Sequence, residues 1–254
     1  MMSTSARTAM VRIATYNVHA CVGTDRRCDP ERIARVVEEL RADVVALQEM
    51  TYASDLAIET RAPVVLPVTG YECALAPTHA RRHQNFGNVL LTRFPIRDLS
   101  RIDLSAPNRE PRGALHVELD VHGASFHVIA THLGLDPFER GRQVRRIGRV
   151  VRELAADRYA VVGDFNDWLP GRTLARALDD LVGSAGKPKS FPSFWPLLAL
   201  DRVWVHPREG VRSIKTHRSE LARRASDHLP VVVEFEVDVV EHASMTRNEL
   251  TGAR

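Results

Sequence analysis

Five short polar motifs in this chain each sit against an apolar run. They are Thr15-Tyr16-Asn17, Leu47-Gln48-Glu49, Thr131-His132-Leu133, Val162-Gly163-Asp164-Phe165-Asn166 and Ser226-Asp227-His228. Loops at the ends of sheet strands are where α/β proteins collect functional groups, because a rigid strand fixes where the next side chains point. Singly, each motif has a plain structural explanation. Asn17 could form a turn, Glu49 could begin a helix, His132 could be a hydrogen-bonded core histidine, and Asp164-Phe165-Asn166 could be an Asx turn. Together the plain explanations are harder to hold. So many carboxylates beside amides and imidazoles on one rim would be costly without a cation. Oxygen ligands without thiolate favour a hard ion such as Mg²⁺ or Mn²⁺. Mg²⁺ takes few carboxylates, keeps several waters and binds substrate phosphate, a habit that a site built mainly from Asn17 and Glu49 would fit. The chemistry this points to is phosphoester hydrolysis, in which catalysis is largely charge neutralisation and alignment of water.

These motifs need strands and helices to hold them. A strand is expected over 11–16, ending at Asn17. A helix follows: Asp29 is a good N-cap, Pro30 suits the first helical position, and Glu31 favours the positive helix end. Ile33, Val36, Val37 and Leu40 then form one apolar stripe. Further strands are expected at 44–48, 88–92, 114–120, 125–130, 159–163, 202–206 and 230–237, and a second helix at 139–156. On that helix Val144, Ile147, Val151 and Leu154 oppose Arg142, Arg145, Arg149 and Arg152, so one face should pack and the other be solvated or meet phosphate. No linker divides the alternation. The expected organisation is one domain over 11–237, with flexible termini at 1–10 and 238–254.

The motifs, in their order, resemble the endonuclease/exonuclease/phosphatase superfamily, the DNase I-like metal-dependent phosphoesterases. Asn17 stands in TYN, Glu49 in LQE, His132 in THL, Asp164 and Asn166 in GDFN, Asp201 in LDRV, and Asp227 and His228 in SDHLP. The resemblance implies a four-layer α/β sandwich, two packed mixed β-sheets flanked by helices, with one active site at the sheet ends. It implies that Glu49 is the main metal carboxylate, Asn17 its polar neighbour and Asp227 a further ligand. Asp164 would orient or deprotonate the attacking water, and Asn166 would hold that water and a phosphate oxygen. His228 would act on the scissile phosphate, with Asp201 fixing its tautomer and raising its pKa, and His132 would be a second phosphate donor. Arg112, in PRGAL, is similar to an arginine near the substrate phosphate, and Asn88, in GNVLL, to a polar wall of the pocket. One position departs from the pattern: His19 stands where some nucleases of the superfamily carry an acid, which weakens a two-metal site.

The core motifs do not separate nucleases from lipid or small-metabolite phosphoesterases. Basic loops favour a nucleic-acid phosphodiester, above all Arg223 and Arg224 leading into Ser226-Asp227-His228. The alternative substrates are a phospholipid headgroup or a small phosphorylated metabolite. A non-catalytic binding module on the same fold is disfavoured by the completeness of the motif set. The loop 187–198 carries Phe191, Phe194 and Trp195 among prolines and reads as a rigid hydrophobic plug, the other readings being base stacking or contact with a membrane interface.

Composition sets the outer limits. With 254 residues, 44% hydrophobic and 26% charged, the chain is neither collagen-like nor mostly disordered. The net charge of +3 is only mildly basic. No apolar run is long enough for a membrane span, and no secretory signal is visible. Cys21, Cys28 and Cys73 are too few and scattered for a disulfide framework or zinc site, so reduced thiols and a cytoplasmic location are expected.

Overall fold

Asp29 caps the first helix as its sequence position requires, its carboxylate accepting from the Arg32 amide at 2.9 Å. That helix, α1 (Pro30–Leu40), buries Ile33, Val36, Val37 and Leu40 along one stripe. The second, α2 (Pro137–Leu154), starts two residues earlier than expected because Asp136 caps it, accepting from Phe138 and Glu139 amides. It ends at Leu154, where Ala155 turns left-handed. A third, short helix is α3 (Glu220–Ala225). The computed structural model describes residues 7–56, 59–61, 65–81, 84–168, 178–179, 182 and 186–239.

Twelve strands are present among the described residues: β1 (Arg7–Asn17), β2 (Val44–Ala53), β3 (Glu59–Arg61), β4 (Glu72–Arg81), β5 (Gln84–Thr92), β6 (Ile96–Asp103), β7 (Gly113–Val121), β8 (Ala124–His132), β9 (Tyr159–Asp164), β10 (Asp201–His206), β11 (Val211–Thr216) and β12 (Val231–Val239). They form a seven-stranded sheet, β11-β12-β1-β2-β5-β4-β3, and a five-stranded sheet, β10-β9-β8-β7-β6. Each sheet is mixed, with one parallel pair: β1 beside β2 in the first, and β8 beside β9 in the second. Arg7 pairs with Val239. The sheet therefore includes 7–10 and 238–239, which the sequence assigned to flexible termini, because each stretch hydrogen-bonds the other. Residues 1–6 and 240–254 lie outside the described residues.

Alternation along the strands divides the core into three layers. Val11, Ile13, Val44, Ala46 and Leu90 face Leu115, Val117, Val128 and Val162 between the sheets. Tyr16, Val45 and Leu47 pack under α1, with Ala222 and Ala225 of α3. Ile129, Val161 and Trp204 pack under Val144, Ile147 and Val151 of α2. Both sheets are covered on both faces, which is why their central strands read as continuous apolar runs. Burial of each large side chain contributes ~1.5–3 kcal/mol. The opposite face of α2 exposes Arg142, Arg145, Arg149 and Arg152. The expected four-layer sandwich is the observed architecture.

Candidate active site

The two parallel pairs bring strand C-termini to one end of the molecule. Asn17 closes β1 in register with Gln48 of β2. In the second sheet His132 of β8 lies beside Asp164 of β9, and Asp164 lies beside Asp201 of β10. Three motifs distant in sequence thus form one row across three strands. Asn17 Nδ2 joins the sheets, donating to Asp164 Oδ2 at 3.1 Å and to Glu49 Oε1 at 2.9 Å.

Glu49 owes its place to a β-bulge. The β2–β5 register shifts between Leu47 and Met50, and Glu49 has φ +58°. A non-glycine residue in that region is uncommon, and bulges beside sites re-aim side chains. Burial pushes the Glu49 carboxyl up, and the charges of Asp164 and Asp227 add to it, against the hydrogen bond from Asn17 and the charge of His19. Asp227 is partly exposed, its Oδ1 3.8 Å from His19 Nδ1. His19 itself sits in a left-handed loop with Nδ1 3.1 Å from the Val22 carbonyl. Ser226 ties the final motif to the first, its hydroxyl donating to the Asn17 carbonyl at 2.8 Å.

The two buried histidines differ in kind. His228 Nδ1 donates to Asp201 Oδ2 at 2.8 Å. Burial alone would push this imidazole down, but Asp201, Asp164 and Asp227 outweigh it and hold it up at about 10. His132 goes the other way, down to about 4. Burial is the main cause, and Arg112 and His228 add to it against Asp164. Arg112 Nη1 lies 3.1 Å from His132 Nδ1. A guanidinium can only donate, so Nδ1 accepts and the ring proton sits on Nε2. Arg112 is held in turn by Glu110 at 2.7 Å. His132 Nε2 is 3.7 Å from Asp164 Oδ2, and His228 Nε2 is 3.8 Å from the same oxygen.

The remaining expected residues fall around this centre. Asn166 has φ +49°, donates its amide N–H to Asp164 Oδ1 at 2.9 Å and its Nδ2 to the Leu133 carbonyl at 2.9 Å. Asn88 Nδ2 donates to the Gly113 carbonyl at 2.9 Å, bracing the residue after Arg112. Arg223 points its guanidinium at the Phe194 carbonyl, 3.1 Å away. Arg224 is exposed and lines a separate cavity of about 630 Å³ with Asp25, Arg27 and Arg35. In the 187–198 loop the plug reading holds for Phe191, partly buried with its ring 4.8 Å from His228. Phe194 and Trp195 are instead 69% and 67% exposed. Sequence reasoning missed the buried Arg202–Asp167 pair, 3.4 Å apart, which joins the segment after β9 to β10. Its signal was present: Asp167 follows GDFN and Arg202 lies within LDRV.

Two sets of residues could hold a metal ion. Donor atoms of Asp164, Asp201 and His228 fall within 4.8 Å of one another. A ligating imidazole must be neutral, whereas His228 is held protonated by its carboxylate neighbours. The second group is Asn17, Glu49 and Asp227, an all-oxygen set whose central carboxyl is pushed up by burial and by negative neighbours. Such donors fit a hard divalent ion.

The profile of the Endonuclease/Exonuclease/phosphatase family matches residues 14–228. The chain belongs to this family. Its members are generally hydrolytic phosphoesterases that use divalent metals. The chain is 30% identical over 248 residues to the uncharacterized protein YbhP of Escherichia coli (strain K12), covering 88% of this chain and 95% of that protein. Among solved structures it is similar to a family protein from Bacteroides thetaiotaomicron, with TM-score 0.72, 18% identity, and coverage of 94% of this chain and 99% of the other. It is also similar to a mannosyl-6-phosphatase from that organism, with TM-score 0.67, 17% identity, and coverage of 89% and 99%. These structural likenesses establish the DNase I-like fold.

Proposed function

We propose that this family member is a divalent-metal-dependent phosphodiesterase. One observation supports the reading: Asp164 Oδ2 accepts from Asn17 and has His132 Nε2 and His228 Nε2 within 3.7 and 3.8 Å, so residues from both sheets surround a single carboxylate oxygen. Glu49, Asn17 and Asp227 would hold Mg²⁺ or Mn²⁺, which would supply charge neutralisation at the phosphate. Asp164 accepts the proton of the attacking water. It is kept in place by the amides of Asn17 and Asn166. His228, as imidazolium, and His132, through Nε2–H, donate to phosphate oxygens as charge builds on them. Asp201 holds the first ring and Arg112 the second, each through Nδ1. These two are positioning residues.

The test is a screen of Mg²⁺ and Mn²⁺ against bis(p-nitrophenyl) phosphate, oligonucleotides and phospholipids. Chelator-sensitive turnover that falls ~10²–10⁴-fold in Asp164→Ala is expected. Unchanged turnover in that variant would remove the assignment. Nucleic acid, the substrate class the basic loops favoured, draws less support from Arg223, whose guanidinium is held by the Phe194 carbonyl, and from Arg224, which lines a separate cavity. A lipid phosphoester draws support from the apolar side chains exposed around the site. Among the described residues no helix is long and apolar enough to cross a membrane.

A further inference from the structure

Eight large hydrophobic side chains are exposed among the described residues, and seven of them belong to three segments at the candidate site: all but Met10. Leu135 and Phe138, 65% and 84% exposed, follow His132 out of β8. Trp168, 50% exposed, follows Asp164 and Asn166 out of β9. Phe194, Trp195, Leu197 and Leu198 precede Asp201 and the start of β10. Hydrogen bonds stitch these segments together. Asn166 donates to the Leu133 carbonyl. Arg202 donates to the Asp167 and Ala199 carbonyls. The last segment is a tight hairpin, with Leu197 and Leu198 amides on the Phe191 carbonyl at 2.8 Å each. It is fixed to the site by the Ser193 amide on the Asp227 carbonyl at 2.7 Å.

Scattered exposed hydrophobics need no explanation, but seven of eight falling on three segments that are linked to one another and flank one site point to an interaction surface. Its composition selects the partner. Bases stack on aromatic faces and have little use for leucine. Here Leu135, Leu197 and Leu198 lie among Phe and Trp, the mixture that settles into the headgroup–acyl boundary of a bilayer. Charge agrees. The chain has three lysines, and two of them, Lys187 and Lys189, are exposed on the strand of chain leading into this hairpin. Ser190, the next residue, donates its amide to the Leu198 carbonyl at 2.9 Å. Lysines in that position reach anionic headgroups while the apolar tip goes deeper.

We propose that this rim docks the protein on an anionic lipid surface, with the candidate site facing the headgroups. The inference deepens the phosphodiesterase reading by naming where its substrate would be met, but its binding test does not depend on turnover. The full chain is sedimented with vesicles of equal parts phosphatidylglycerol and phosphatidylcholine. It should bind them, more weakly in high salt, and with a blue shift of tryptophan emission. The variant Phe194→Ser with Trp195→Ser should bind about tenfold more weakly per aromatic removed. Leu135→Ser with Phe138→Ser, on a separate segment, should also weaken binding. Both variants should keep the wild-type rate on soluble bis(p-nitrophenyl) phosphate. Absence of vesicle binding, or binding indifferent to both variants, overturns the proposal. So does an oligonucleotide affinity that depends on Phe194 and Trp195, or a dimer that the same variant dissociates, when vesicles are not bound. Vesicle binding without hydrolysis of any phosphodiester would leave the docking surface standing and remove the hydrolase reading instead.

Discussion

His132 and His228 come from different sheets and bring their Nε2 atoms to the same oxygen, Asp164 Oδ2, at 3.7 and 3.8 Å. Their charges differ because their Nδ1 partners differ: a guanidinium for His132 and a carboxylate for His228. One ring is a neutral donor and the other a cation, and both face the Asp164 carboxylate. The pair separates its pKa values by environment alone, as catalytic pairs do.

The carboxylate partner sets the first prediction. His228 is held at about 10 in the folded chain, against roughly 6.5 unfolded. A raised pKa contributes stability that is full below the unfolded value and is lost as pH rises toward about 10. Asp201→Asn removes the nearest charge, so the His228 value should fall, and the loss of stability above the unfolded value should be smaller and complete at lower pH. Histidine NMR titration of the metal-free protein, beside urea denaturation at several pH values, measures both. An unchanged His228 titration would refute the role given to Asp201.

The guanidinium partner sets the second. Arg112→Met keeps a long apolar stem in a buried place but removes the donor to His132 Nδ1. His132 is then free to change tautomer, and its pKa should rise, because the Arg112 charge was one of the causes lowering it. Turnover should fall roughly a hundredfold, the scale expected when a group is misplaced by about 1 Å. Arg112→Lys should recover part of it. A variant with normal His132 titration and lost turnover would assign Arg112 to the substrate instead.

Much of this site was legible because each motif ends or begins a strand, and register then does the rest. His132, Asp164 and Asp201 needed only the pairings β8–β9 and β9–β10 to stand in one row. Glu49 was legible as a residue but not as a geometry, since its bulge depends on β5, a partner distant in sequence. The missed strands have local reasons. β6 and β11 are edge strands with mostly half-buried or exposed side chains, so alternation is weak. β4 contains Pro77, which argues against a central strand; the register shifts beside it, between Pro77 and His79. The start of α2 carried a readable signal, since Asp136-Pro137 repeats the Asp29-Pro30 pattern that correctly placed α1. Arg223 and Arg224 show what proximity in sequence omits: successive helical residues diverge by about 100°. One reaches the Phe194 carbonyl and the other lines a different cavity.

Glu49 is expected to trade stability for metal binding. Its carboxyl is pushed up by burial and by Asp164 and Asp227, so keeping it ionised near neutral pH opposes folding. Glu49→Gln should therefore raise the Tm in chelator. The same change should abolish the Tm gain on adding Mn²⁺, which arises because a ligand bound only by the native state stabilises it. Affinity for Mn²⁺, read by calorimetry, should fall by more than the roughly 10–100-fold that loss of an outer partner costs. A lower Tm in chelator would show that Glu49 supports the fold rather than the ion.

Gly163 is the backbone feature that lets the row form. Its φ is +148°, and a Cβ there would meet the Thr131 carbonyl oxygen at 2.0 Å. Thr131 and Gly163 are register partners one step before His132 and Asp164. Any side chain would push β8 from β9 at the point where both deliver functional groups. Gly163→Ala should cost about 3 kcal/mol or more, from backbone strain and overlap together. Urea denaturation gives the loss, and turnover of the surviving folded fraction should fall as well because His132 and Asp164 no longer stand side by side. Gly113→Ala is the control. Its nearest neighbour, the Ile102 carbonyl oxygen, would be 3.4 Å from the new Cβ, an ordinary contact, so stability should change little. Equal losses in the two variants would mean that the close approach at Gly163 is not what holds the strands in register.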